Sequence, residues 1–275
     1  MILRILSFLG VLAGGLYATF LVGGFLLRDT LIFHPPAASY EKDAFVRTLT
    51  ARDGTELALY AHPAKDPQAP SILYFHGNAE DTGYLRFLFE NIAARGYGVY
   101  ALDYRGYGLS QGRPTTENIC EDARTAWNYL VEEEGLAPSH MVLYGRSIGT
   151  GPALFLAREY ALGGVIVEGA FLSVFRALTQ IRLHPQDPLP NIENIKHLSS
   201  PLLVIHGTRD GVVPWWQGKK LFEAARVPKE HYWVKGAGHN NLLYVGGKEY
   251  YERIDAFLQG LSRDSSEGSP QGSPE

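Results

Sequence analysis

Apolar positions along this chain fall into three regimes. Residues 5–27 form one uncharged run of 23 residues between Arg4 and Arg28; from residue 45 to residue 258 short apolar runs alternate with amphipathic stretches; beyond residue 262 Ser, Gly, Pro and charge take over. As a helix the first run rises about 35 Å against a hydrocarbon core of roughly 30 Å, which predicts a transmembrane anchor over residues 1–28. A cleaved secretory signal is the rival reading. Its apolar region is normally shorter and ends in a small-x-small site, and no convincing A-x-A follows here. Residues 262–275 are expected to be a disordered tail, which leaves residues 29–261 as one domain.

Within that domain, residues 45–49 and 56–61 read as two strands joined by a turn at Arg52-Asp53-Gly54. A regular alternation follows. Buried strands are predicted over 71–75, 98–102, 141–144, 165–167, 201–205 and 231–234, with helices over 85–95, 116–134, 148–160, 215–225 and 248–258. This is an α/β pattern: a mostly parallel central sheet with helices on both faces, whose chemistry lies outside the carboxyl ends of the strands. Residues 172–200, broken by Pro185, Pro188 and Pro190, have the length of a small lid and not of a cap domain.

Composition narrows the function. The 275 residues are 45% hydrophobic and 20% charged, enough for a core without staples, and the single cysteine excludes an internal disulfide. With 25 Lys+Arg against 29 Asp+Glu there is no basic stripe, so nucleic acid is not an expected partner. No Cys pair, HExxH or carboxylate loop appears, so neither metal nor other cofactor is expected. Arg28, Lys42 and Arg47 outnumber Arg4 across the apolar run, which points to a single-pass protein with its domain on the cytoplasmic side.

Candidate chemistry sits at the predicted strand ends. Gly145-Arg146-Ser147-Ile148-Gly149 follows a strand and opens a helix, the context of a nucleophile elbow, with Ser147 as nucleophile. Its base is expected to be His239, in Gly236-Ala-Gly-His239-Asn-Asn just past the last strand, and the orienting carboxylate Asp210, just past the 201–205 strand. Two backbone N–H groups, those of Ile148 and Asn78, are expected to form the oxyanion hole, so that the Asn78 side chain should be dispensable. His206 is read as bonding its own turn, and Asp103 as fixing the loop 104–108.

Five segments, in order, resemble the α/β-hydrolase superfamily: Tyr74-Phe-His-Gly-Asn-Ala-Glu80, the loop 103–114, Tyr144-Gly-Arg-Ser-Ile-Gly-Thr-Gly151, His206-Gly-Thr-Arg-Asp210 and Gly236-Ala-Gly-His-Asn240. They look most similar to the ABHD-type membrane-anchored serine hydrolases. The resemblance implies the α/β-hydrolase fold, a Ser147–His239–Asp210 triad, and hydrolysis of an ester or thioester of an acyl or lipid-like substrate. Some members of that group are protein depalmitoylases and carry an N-terminal cysteine cluster, whereas this chain has only Cys120. A serine peptidase and a non-catalytic scaffold are the other readings. The chain also departs from the pattern at Glu168-Gly-Ala-Phe171, where such proteins usually carry Ser-Pro.

Overall fold

A computed structural model describes residues 2–180 and 188–267. Its centre is an eight-stranded sheet in the order β1-β2-β4-β3-β5-β6-β7-β8. The strands are β1 (Val46–Thr50), β2 (Glu56–His62), β3 (Ser71–Phe75), β4 (Gly98–Leu102), β5 (Met141–Arg146), β6 (Gly164–Glu168), β7 (Leu202–Gly207) and β8 (Lys229–Val234). β2 runs antiparallel to both β1 and β4, and every other pairing is parallel. The central parallel strands β3, β4, β5, β6 and β7 are buried along nearly their whole length because helices cover both of their faces, whereas the edge strand β8 begins with exposed polar residues. In β3, Leu73 and Phe75 enter one core while Ile72 and Tyr74 enter the other.

The first core is closed by α3 (Asn118–Asn128), α4 (Thr150–Ala157) and α7 (Trp215–Ala224), and the second by α2 (Arg86–Ala93) and α8 (Leu242–Glu267). The predicted helix over 116–134 is α3 followed by a π turn at Tyr129–Glu133. The backbone leaves helical geometry at Gly247 (φ 51°, ψ −127°), so the predicted helix from residue 248 follows a kink, and a short helical stretch from Leu242 precedes it. α8 also runs past residue 261 into the expected tail, and residues 268–275 lie outside the described residues.

Of the expected lid, residues 181–187 lie outside the described residues. The rest holds α5 (Val174–Thr179) and α6 (Asn191–Asn194), and it lies packed onto the domain through Leu172, Val174, Leu189 and Ile195.

The N-terminal helix α1 (Ile2–Ile32) contains one stretch, Leu6–Gly24, long and apolar enough to cross a membrane. It does not end at Arg28. The Phe33 amide donates to the Asp29 carbonyl, so helical hydrogen bonding persists through the charged residues. Ile32 and Phe33 are then buried in the first core.

Candidate active site

β5 delivers its chain into a turn where Ser147 takes φ +50°, a left-handed conformation uncommon for a residue with a side chain. The turn is possible only with glycine on both sides. A Cβ on Gly149 would overlap the Phe75 carbonyl, and one on Gly145 would overlap the backbone of Gly149 and Thr150. The Thr150 hydroxyl donates to the Ser147 carbonyl at 2.7 Å and fastens the turn to α4.

The three predicted side chains meet here. Ser147 Oγ lies 2.8 Å from His239 Nε2, and His239 Nδ1 lies 2.7 Å from Asp210 Oδ2. A carboxylate only accepts, so Nδ1 carries the imidazole proton and Nε2 presents its lone pair to the Ser147 hydroxyl. The His239 and Asp210 side chains are almost wholly buried. Burial alone would raise the Asp210 carboxyl; hydrogen bonds from His206, His239 and the Val213 amide overcome it and hold the group well below the usual carboxylate range. Gly169, past β6 with φ +57°, makes room for the imidazole, since a Cβ there would press on His239 Cε1 at 3.0 Å. That glycine belongs to the segment where this chain departs from the expected Ser-Pro.

Asn78 and Ile148 line one cavity with Ser147. Their position beside Ser147 is compatible with the expected role of their backbone N–H groups as oxyanion donors. The Asn78 side chain is engaged at both of its polar atoms, which its expected backbone role does not require. Its Nδ2 donates to the Ile32 carbonyl, and its Oδ1 accepts from the His34 amide at 3.0 Å and the Tyr107 hydroxyl at 2.6 Å.

Arg146, the variable residue before the serine, had no signal in the sequence. Its guanidinium pairs with Glu80, lies 3.2 Å from Glu168, and reaches the His239 carbonyl at 3.4 Å and Asn240 Oδ1 at 3.2 Å. Glu80 Oε1 in turn accepts from the Gly77 amide at 2.7 Å. One cation thus ties the Asn78 loop, the end of β6 and the His239 loop together. Burial works against its charge, but Glu80 and Glu168 more than compensate and raise its pKa.

Two readings from the sequence change. His206 bonds its turn, with Nε2 at 2.9 Å from the Val213 carbonyl, but the same nitrogen also lies 3.2 Å from Asp210 Oδ2. The Asp103 carboxylate does not fix the loop 104–108 by hydrogen bonds: it accepts from Thr82 and Tyr40. The loop is held by Arg105, paired with Asp122 and Asp53. Among the described residues no group of three or more His, Cys, Asp or Glu side chains is disposed to hold a metal ion.

Two depressions meet at Ser147. One, of about 210 Å³, is mainly apolar and lined by Leu31, Ile32, Phe171, Val174, Val212 and Val213 beside Asn78 and Ile148. The other, of about 400 Å³, is mixed, bordered by Glu80, Arg146, His239 and Asn240 together with Ala79 and Val212. A substrate with one apolar arm and one arm that carries polar groups, joined at an electrophilic carbonyl, matches this division.

Residues 66–184 match the family of serine aminopeptidases S33. The chain is 35% identical over 225 residues to the human α/β-hydrolase domain-containing protein 17B, covering 80% of this chain and 77% of that protein, and 34% identical over 226 residues to its Xenopus tropicalis counterpart, with the same coverage. Among solved structures it is similar to an esterase of Pyrococcus furiosus, with a TM-score of 0.70 at 18% identity, covering 84% of this chain and 97% of that one. An esterase from Rhodococcus aligns with a TM-score of 0.63 at 18% identity over 79% of this chain and 99% of its own.

Proposed function

The chain belongs to the α/β hydrolases, in the group of the α/β-hydrolase domain-containing proteins, and from that premise we propose that it is a membrane-tethered serine hydrolase that cleaves carboxylic esters or thioesters of acyl or lipid-like substrates. The observation that carries the proposal is the unbroken line from Ser147 through His239 to Asp210, set where the two depressions join.

In this reading the Ser147 oxygen attacks the acyl carbonyl while His239 Nε2 takes the hydroxyl proton. Negative charge collects on the carbonyl oxygen, facing the N–H groups of Ile148 and Asn78. Collapse breaks the bond to the leaving alcohol or thiol, which receives the proton from His239. Water then attacks the acyl-serine, giving its proton to His239, and the free acid departs as Ser147 regains its hydrogen. Asp210 holds the imidazole tautomer throughout and stays ionised. The α1 helix acts as the single-pass tether, with the domain on the cytoplasmic side that Arg28, Lys42 and Arg47 favour.

The test is labelling by a fluorophosphonate probe together with turnover of p-nitrophenyl esters, acyl thioesters and short peptides. Wild type is expected to label and to cleave esters or thioesters, and Ser147→Ala to do neither. Equal labelling of both proteins would refute the serine mechanism. Peptide cleavage without ester cleavage would move the assignment to a peptidase. Faster turnover of acyl-cysteine thioesters than of matched oxygen esters would favour the depalmitoylase reading.

A further inference from the structure

We propose that the last turns of α1 form a wall of the acyl-binding site, so that the helix anchoring the protein also conducts the substrate's acyl chain from the lipid surface to Ser147. The inference rests on the serine-hydrolase reading above and adds where the acyl chain lies and how it arrives.

Three observations carry it. First, Leu31 and Ile32 of α1 line the apolar depression at Ser147 together with Val212 and Val213, and Val212 also borders the second depression. Leu31 and Val212 are 60% and 59% exposed, so the rim of the depression is apolar and open. Second, Leu27 is also largely exposed and lies four residues before Leu31, on the same helix face. The two leucines extend an apolar track from the uncharged run to the cavity mouth. At 1.5 Å per residue, Leu31 is about 10 Å beyond Gly24, where the apolar window ends, and about 6 Å beyond Leu27, where the uncharged run ends; the latter is roughly the depth of one headgroup layer. An acyl chain sliding along this track need not cross open water.

Third, the end of α1 is fixed to the catalytic loops. Arg28 pairs with Glu117, and the Thr116 amide donates to Asp29 Oδ1 at 2.9 Å. Asn78, proposed above as an oxyanion donor through its backbone N–H, binds the Ile32 carbonyl and the His34 amide with its side chain. A helix held this way cannot swing aside as a loose tether would, so the wall is a permanent part of the pocket. The chemistry it recognises is a linear saturated chain, with the polar leaving group on the side of Glu80, Arg146 and Asn240.

The experiment uses the full chain in phosphatidylcholine vesicles with p-nitrophenyl esters from acetate to palmitate. In wild type, kcat/KM is expected to rise about fourfold for each methylene that enters the apolar depression and then level off. Leu31→Glu and Val212→Glu should lower the ratio of long-chain to short-chain kcat/KM at least about tenfold, and Leu31→Trp should move the optimum to shorter chains. Phe87→Glu, exposed and away from both depressions, serves as the control. An alkyl fluorophosphonate with a terminal diazirine should crosslink to peptides containing Leu31 or Val212.

A chain-length profile unchanged in all three rim variants, or crosslinks confined to the Glu80–Asn240 side, would overturn the inference while Ser147 still labels. Loss of labelling and of turnover in wild type would instead overturn the underlying serine mechanism. The exposure of both rim residues makes misfolding of these variants a minor concern, and crosslinking to wild type tests the same point without any variant.

Discussion

Replacing Arg146 by methionine tests whether one buried cation holds the catalytic loops together. The Arg146 side chain is 15% exposed and Glu168 only 4%, so the pair is largely removed from water. In wild type, Glu168 is also bonded by the Tyr144 and Tyr250 hydroxyls at 2.5 Å, and both phenols are kept protonated by burial and by the Glu168 charge. Without Arg146 these two hydroxyls alone must stabilise a buried carboxylate. Breaking a buried pair by removing one partner costs about 3–5 kcal/mol. The two phenols and the partial exposure of Glu80 place the expected loss near the lower bound, about 3 kcal/mol. Glu168→Gln keeps an acceptor for the phenols and removes the charge, so the double variant should be less destabilised than the sum of the two singles by about 2 kcal/mol. Urea unfolding of the full chain in detergent micelles, followed by tryptophan fluorescence, reads these differences as midpoint shifts at constant m-value. Losses below about 1 kcal/mol for Arg146→Met, or additivity within about 0.5 kcal/mol, would show that the three loops do not depend on this cation.

Two further outcomes are expected. Burial pushes the Cys120 thiol up to about 12, so iodoacetamide at about pH 8 should label it only after unfolding, and rapid native labelling would contradict its position in the core. Because the folded value is raised, its stabilising effect is complete below the unfolded value of roughly 8.5 and declines as pH rises from there toward about 12, which an alkaline melt series of wild type against Cys120→Ala would show. Asn78→Ala removes three side-chain hydrogen bonds and should cost about 1–3 kcal/mol of stability together with a fall in kcat/KM, and wild-type turnover in that variant would mean that the backbone alone sets the loop.

The succession of strands along the chain and the meeting of Ser147, His239 and Asp210 were legible because each is written in local sequence. A strand buried on both faces must be an apolar run, and a loop able to carry a catalytic group past the strand end is short and rich in glycine, as around Ser147 and His239. What could not be read was set by neighbours distant in the chain. Arg146 occupies a position that any residue can take in the motif; its role comes from Glu80 and Glu168, 66 and 22 residues away. Asn78 was read for its backbone alone, since nothing in its surroundings announces Ile32, 46 residues earlier. The anchor is bounded at Arg28 because charge marks the limit of an apolar run, and the apolar stretch Leu6–Gly24 lies inside that bound. The helix itself stops where its hydrogen bonds stop, and those continue to Phe33. At Gly247 the expected start of the last helix coincides with a non-helical backbone conformation that glycine tolerates, φ 51° and ψ −127°.

His206 is informative about why Asp210 can serve as it does. Asp210 Oδ1 accepts from the Val212 and Val213 amides at 2.9 and 2.8 Å, while Oδ2 faces His239 Nδ1 at 2.7 Å and His206 Nε2 at 3.2 Å. A carboxylate offers about four lone-pair directions; the Val212, Val213 and His239 N–H groups take three, and the His206 Nε2 proton, shared with the Val213 carbonyl, approaches the fourth. Protonating Asp210 would set a hydrogen against one of those donors, which is why its pKa is lowered despite its burial. Its contribution to folding is therefore present above the unfolded value of about 3.9 and is lost only as pH falls below that, toward the lower folded value. Through the range in which an imidazole titrates, Asp210 remains a fixed negative charge with one orientation. In the proposed mechanism this charge keeps the proton on His239 Nδ1 and leaves Nε2 to exchange one with Ser147. The histidine four residues before the acid thus does more than close its own turn: it helps to keep the carboxylate from becoming a second titrating group in the site.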